Sequence, residues 1–497
     1  MENFVRLSES KLRQELLDFY ESEGITAWST DRVPFFATNN PALAKSYGDL
    51  ALAFFEDCRS KGLIDENEPV YLVELGGGMG RLAYLILNRL EQLSQASGLK
   101  LRYLLTDYSQ SNVDYYKKHE KLQPALESGL LQVQTFDAEN DSTLEVAIKN
   151  PIFCFANYLF DSLSQDGFRV RDGSLSEVSC SRTKDDKFIP CYRDADSKPY
   201  GIPDYDETLK LYRENLGNTH FGFPIGPLRC LENLSTISQG AMALVMADKA
   251  FRTLEDQLNF ESLPFERHEK GFSMTVNCHA IDQIWLKRGG TVFHSAERTN
   301  PLKIALYSRL PEAGKLPKTQ GVFTDQIDDF GPLDYLDFRG QMIARTKNAN
   351  LNFFLQMLRL SRWDAEFLYE LNNEIAQATV GAPLNQQKEL YDALVKCWSN
   401  FFPIPDERNV PFAVARILAC INQFDQAIHF YSESERLYGA QAAIKHNIGI
   451  CYCNLGQFEQ AKNIFLDALE LDPNYSPSRE LLIQTESELK RRSELKP

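Results

Sequence analysis

The stretch YLVELGGGMGRLAYLILNRL, residues 71–90, limits the possible folds more than any other part of the chain. An apolar run ends in an acid, four glycines fall within five positions, and an amphipathic run follows. Glycine crowded between a strand-like and a helix-like segment marks backbone that turns tightly and lies close to something. The same alternation continues downstream. VYLVEL, KLRYLLTD, LLQVQTF and PIFCFANYLF read as strands, with RLAYLILNRLEQLSQ, SNVDYYKKHEKLQPAL and STLEVAIKN as the helices between them. This order predicts a mostly parallel sheet with helices on both faces. Residues 171–235 read as a polar, irregular insertion that covers the ligand face. The sheet resumes at GAMALVMADKAF, and MTVNCHAIDQIWLKRGGTVFHS supplies a strand, a helix and a strand.

At 497 residues the chain calls for two or three domains. The expected division is a helical segment over 1–69, an α/β domain over 70–345 and an all-α domain over 346–497. A 43% apolar and 25% charged composition is that of a soluble globular protein. No window is long and apolar enough for a membrane span. The start, MENFVRLSESKLRQELLDFY, lacks the apolar centre of a signal peptide. It reads instead as an amphipathic helix with Phe4, Val5, Leu7, Leu12, Leu16, Leu17 and Phe19 apolar, and the expected setting is cytoplasmic. A net charge of −16 argues against general nucleic-acid binding and is compatible with a basic peptide substrate. The ten cysteines form no CxxC pair, and Cys451 and Cys453 fall inside a helical repeat, so reduced core thiols are expected and no metal site. His220, His268, His279 and His294 show no metal-ligand spacing either and read as structural.

Two kinds of cofactor favour a strand–glycine-loop–helix unit. A dinucleotide site wants a third glycine where Arg81 stands. The alternative, E/D-x-G-x-G-x-G, is the first motif of class I S-adenosylmethionine methyltransferases, and Glu74, Gly76, Gly78 and Gly80 fill it, with Gly77 between them. Glycines clear Cβ atoms from the path of the methionine part, and free N–H groups at the helix start face its carboxylate. The strand-end acid Glu74 can organise its ammonium. Asp107 closes the second strand, where an acid can accept both ribose hydroxyls, and Phe136 and Asp137 close the third, for adenine packing and its exocyclic amine. These eight positions, with Asn157 and Asp161 after the fourth strand, make the expected site.

The fourth strand runs into FANYLFDSLSQDGFRV. Together with VELGGGMGRLAYLIL this resembles the MidA-like methyltransferases, a group that includes mitochondrial complex I assembly factors that methylate protein arginine. Ala156, Asn157, Asp161 and Leu163 match the pattern A-N-E-x-x-D-A-L-P, and Thr38, Pro41, Tyr47, Gly48 and Asp49 match an upstream segment. Asp248 matches a later I-D-Y-G strand. The likeness spans roughly residues 20–310. It implies a Rossmann-like class I fold, S-adenosylmethionine as cofactor, and methyl transfer to a protein side chain, arginine first. On that reading Asn157 and Asp161 face the acceptor, with Asn157 also beside the cofactor, and neither a metal nor a covalent intermediate is required. Tyr158 stands where the family has glutamate and Ser164 where it has proline, so cofactor-side positions are kept better than substrate-side ones. The rival reading is a non-catalytic scaffold that keeps the cofactor.

The last 150 or so residues lose strand character. NQFDQAIHFY at 422–431 recurs as GQFEQAKNIF at 456–465, an offset of 34 residues. The second copy resembles the tetratricopeptide repeat, with Gly449, Tyr452, Ala461, Phe465, Ala468 and Pro473 at the family's 8, 11, 20, 24, 27 and 32 places. Ala415, Ala427 and Tyr431 carry the first copy, and LYDALVKCWSNFFPIPDE ends an eroded unit one period earlier. Such arrays commonly bind a protein or peptide partner on the concave face, with packing against the enzyme or self-association as the alternative.

Overall fold

A computed structural model describes residues 4–25, 37–183, 187–267, 272–296, 302–312, 314–405 and 408–494. The chain separates into two compact units, Met1–Asp334 and Tyr335–Pro497. In the first, α1 (Lys11–Glu23) and α2 (Pro41–Ser60) precede the sheet. Asn40 caps α2 by accepting the Leu43 N–H at 2.9 Å, and Pro41 sits in the first turn, where its missing N–H costs nothing.

The α/β part follows as β1 (Val70–Glu74), α3 (Arg81–Ser97), β2 (Leu101–Asp107), α4 (Gln110–Lys118), α5 (Gln123–Glu127), β3 (Leu131–Thr135) and β4 (Ile152–Asn157). A second group comprises β5 (Asp166–Arg171), β6 (Ser174–Arg182), β7 (Phe188–Asp194), α6 (Pro203–Asn215), β8 (Thr219–Phe223) and α7 (Ile225–Ile237). The main sheet then resumes with β9 (Met242–Phe251), a hairpin β10 (Phe265–Arg267) and β11 (Phe272–Met274), β12 (Val276–Asn277), α8 (Cys278–Lys287), β13 (Thr291–His294) and β14 (Leu302–Arg309).

The main sheet runs β13-β14-β9-β4-β1-β2-β3. The five strands from β9 to β3 are parallel, and β14 is antiparallel to both its neighbours. Strands covered on both faces can be apolar at every position, and β1 is buried throughout. Strand order reverses between β1 and β4. In doubly wound sheets that is where a crevice opens beyond the strand ends.

Two expectations fail. STLEVAIKN is not helical: Leu144, Val146 and Ile148 pack against the core at a spacing of two, so the segment runs extended along it. Residues 171–235 are not irregular. They belong to an antiparallel sheet ordered β7-β6-β5-β8, flanked by α6 and α7. β7 is the edge strand and is exposed along nearly all of its length, so its polarity marks a solvated edge and not a loop. The amphipathic start is found as α1, whose Leu12 and Leu16, with Leu7 just before it, pack on Val178, Phe272 and Met274.

The second unit is helical. Val410–Cys420 pairs with Phe424–Tyr438, and Ala442–Asn454 with Phe458–Leu471. A Cβ on Gly449 would lie 2.4 Å from the Phe465 ring, which explains glycine where the two helices touch. Ala461, Phe465 and Ala468 are fully buried. All ten cysteines are free thiols; seven are buried, while Cys191 and Cys420 are exposed. No helix among the described residues is long and apolar enough to cross a membrane.

Candidate functional site

The turn after β1 uses its glycines for two different reasons. Gly76, Gly78 and Gly80 have φ of 62°, 55° and 78°, a region open to glycine and strained for most side chains. Gly77 is there for space: a Cβ would come 2.2 Å from Leu105 Cδ1. The turn is held by the end of β2. Asp107 accepts the Gly78 N–H at 3.1 Å and the Tyr116 hydroxyl at 3.0 Å on one oxygen, and the Ser109 N–H at 3.0 Å on the other. Tyr116 also donates to the Gly78 carbonyl at 2.8 Å. Burial raises the Asp107 pKa, and the donors around it oppose that rise.

A cavity of about 430 Å³ opens over the ends of β1, β2 and β3. This is within the roughly 300–1,000 Å³ usual for small-ligand sites. Gly76, Asp107, Phe136 and Asp137 line it together, as do Tyr108 and Tyr158. Tyr108 is 43% exposed and offers an aromatic face beside the acid. The Asp137 carboxylate is engaged locally, accepting the N–H groups of Glu139 at 2.9 Å and Asn140 at 3.2 Å and the Asn140 side chain at 2.8 Å. It therefore caps the turn that forms the cavity wall.

Glu74, Gly77, Gly78 and Asn157 line a smaller adjoining cavity, which shares Leu75, Gly76 and Tyr158 with the first. Glu74 is buried and accepts the Tyr103 hydroxyl at 2.7 Å. Its pKa is pushed up to about 8, by burial above all and also by the Asp107 charge. Asn157 accepts the Tyr47 hydroxyl at 2.9 Å and donates to the Thr38 carbonyl at 3.3 Å. Tyr47 stacks on Phe155 with centroids 5.6 Å apart, which explains an aromatic at this position of α2. Gly80 lines neither cavity; it starts α3 against the Tyr116 ring.

Asp161 stands apart from these groups, lining a third, narrow cavity with Gln165, Phe265, Phe272 and Met274. Its N–H donates to Asp248 at 3.1 Å, and Asp248 is wholly buried. Burial first, then the Asp161 charge, raises the Asp248 pKa well above the ordinary carboxyl value. This contact ties β9 to the turn after β4, where Tyr158 takes a φ of 48°. Burial, with help from Asp248 and Asp161, raises the Tyr158 phenol pKa, so it is a neutral donor.

The insertion contributes only Arg229 of α7 to the large cavity; the roof is the N-terminal segment, through Ser8, Arg13, Gln14 and Leu17. The Arg13 guanidinium donates to Glu139 at 2.6 Å and to the Ser162 carbonyl at 2.5 Å. Arg6 pairs with Glu177 at 3.3 Å, and the Ser8 N–H donates to Asp166 at 3.1 Å. Arg13 and Glu139 escape a sequence reading because they are 126 positions apart. Tyr108 had a usable signal, an aromatic directly after the ribose acid. Of the histidines, His220, His279 and His294 are bound to Phe260, Tyr212 and Asp282 and line none of these cavities, while His268 lies outside the described residues.

Strand order, glycine turn and strand-end acids define a class I methyltransferase fold. Residues 50–245 match the family described as "Putative S-adenosyl-L-methionine-dependent methyltransferase", and residues 442–475 match the tetratricopeptide repeat. Residues 50–245 thus carry an S-adenosylmethionine-dependent methyltransferase domain, on a chain that also carries a tetratricopeptide repeat. A solved protein of Burkholderia thailandensis is 13% identical over 62% of this chain and 89% of its own, with a TM-score of 0.42. A second from that organism, solved bound to S-adenosyl-homocysteine, is 13% identical over 60% and 92%, with a TM-score of 0.39. MamA of Desulfovibrio magneticus RS-1 is 18% identical over 31% of this chain and 84% of its own, at 0.25. No curated protein matches the chain.

Proposed function

We propose that the first unit methylates a protein side chain, arginine first, on a partner that the repeats bring near. Bound S-adenosylmethionine supplies a methyl already activated by its sulfonium, so the chain has to position the acceptor, exclude water and manage charge. In this reading Asp107 takes the ribose, while Tyr108 and Phe136 flank the adenine on the turn that Asp137 caps. Glu74 and the Gly76–Gly80 turn hold the methionine end, and Asn157 sets the boundary between cofactor and acceptor. Asp161 and Glu139 supply carboxylates for a cationic acceptor, which offsets the missing glutamate at Tyr158. The repeats raise the local concentration of the target. Free thiols agree with a reducing, cytoplasmic setting.

The observation that carries this reading is the 430 Å³ cavity that gathers Gly76, Asp107 and Phe136 from three strand ends, continuous with acidic groups on its far side. Incubating the full chain with labelled S-adenosylmethionine and a cell lysate tests it. Label in a protein band, released as methylarginine on hydrolysis, is expected. Label in small molecules alone moves the acceptor class elsewhere. No transfer in any fraction, despite tight cofactor binding, favours the scaffold reading that Tyr158 motivates.

A further inference from the structure

Of the cavity roof, Ser8 and Arg13 also enter the narrow cavity beside Asp161, and Arg13 is the charged one of the two. Leaving Arg13 aside, that junction is rich in acceptors. They are the Glu139 carboxylate, the Ser162 carbonyl and the Asp161 carboxylate, with Gln165 in the wall of the narrow cavity. Gln165 is 4% exposed, its Nε2 donates to the Met274 carbonyl at 2.8 Å, and its Oε1 is buried with no hydrogen-bond partner among the described residues. A buried acceptor left unmatched is costly, and it is rarely kept without a reason. Phe265, Phe272 and Met274 supply apolar walls on which an alkyl stem can lie.

A side chain suited to such a place carries several N–H donors, no acceptor, a full positive charge and an apolar stem, which describes a guanidinium. The chain's own Arg13 already fulfils this description, with its side chain only 14% exposed. An ion pair that merely pinned α1 would need Glu139 alone. It would not require a second carboxylate and an aromatic wall close by.

We propose that this junction is the docking site for the acceptor's guanidinium, and that Arg13 fills it in the resting chain as an internal competitor. The inference rests on the guanidinium-acceptor reading above and adds to it a means of self-restraint. A target arginine enters as the Arg13 side chain swings out, and the ties of Arg6 and Ser8 to the second sheet keep the N-terminal segment close enough to return.

The test is methylguanidine binding to the full chain, followed by calorimetry or ligand-observed NMR, with and without S-adenosylhomocysteine. Arg13→Ala should bind at least ten times more tightly than the unchanged protein. Adding Glu139→Gln, whose amide oxygen can still accept the Ser164 N–H, should abolish the gain. Arg13→Met keeps the apolar stem and carries the same expectation should the alanine variant not fold. Equal affinity in the unchanged protein and in either Arg13 variant overturns the proposal, as does a gain that survives Glu139→Gln. Because the readout is binding, failure to find methyl transfer would sink the function reading and leave this result interpretable. Transfer to arginine with no gain in the Arg13 variants would sink the self-restraint alone.

Discussion

The two sides of the crevice are assembled by different means. The cofactor side takes Glu74, Gly76, Asp107 and Phe136 from consecutive strand ends, within a short stretch of chain and in sequence order. The side we propose for the acceptor takes Arg13 from α1, Asp161 from the turn after β4, Asp248 from β9 and Phe272 from a hairpin. Parallel strands necessarily deliver their C-terminal ends to one edge, so the first side follows from topology. The second depends on contacts between distant segments, which no local pattern encodes.

The largest expected effect tests the cofactor side. Asp107→Ala removes the ribose acceptor and also the groups that hold the Gly78 N–H and Tyr116, so S-adenosylhomocysteine affinity should fall by about 1.5–3 kcal/mol, roughly ten- to 150-fold. Unchanged affinity by calorimetry would break the assignment. Next come two overpacking substitutions that contrast the units. Gly77→Ala and Gly449→Ala should each cost about 1–3 kcal/mol in denaturant unfolding, because each adds a Cβ where a buried side chain already sits. Only Gly77→Ala should also weaken cofactor binding. A weaker cofactor affinity in Gly449→Ala would show that the repeats do more than sit on the same chain.

Asp161→Asn should lower methyl transfer by about tenfold, near 1.4 kcal/mol, while sparing cofactor affinity. Loss of cofactor binding would move this residue across the crevice. The last test reads stability against pH, and neither binding nor transfer. Glu74 has a folded pKa near 8 against an ordinary 4.5, so the folded state holds its proton more tightly than the unfolded state. The stability of the cofactor-free protein should therefore fall as pH rises from about 4.5 to about 8. Glu74→Gln should flatten that slope in urea titrations, and a slope unchanged by the substitution would show that Glu74 is already ionised.

How much could be read in advance follows the same division. The glycine turn was legible because its residues are contiguous and their chemistry is specific, and the repeats because Gly449 and Phe465 have to meet at a fixed spacing. STLEVAIKN reads as a helix because Leu144, Val146, Ala147 and Ile148 within nine positions fit a helix nearly as well as an extended run. The 171–235 sheet was missed because β7 is exposed along most of its length, which removes the alternation that announces a strand. The roof of the cavity was assigned to that insertion, and nothing local to α1 says that Arg13 reaches Glu139.

The role of α1 as a wall has a practical side. Whatever trims, tags or covalently blocks residues 4–23 reshapes the crevice as directly as a substitution beside the glycines would. The main sheet's core is built from other residues, so a cut there would leave that sheet covered while stripping Leu7, Leu12 and Leu16 from β6 and the hairpin. Proteolytic processing at that end would then act as a dial on selectivity, set once and not reset.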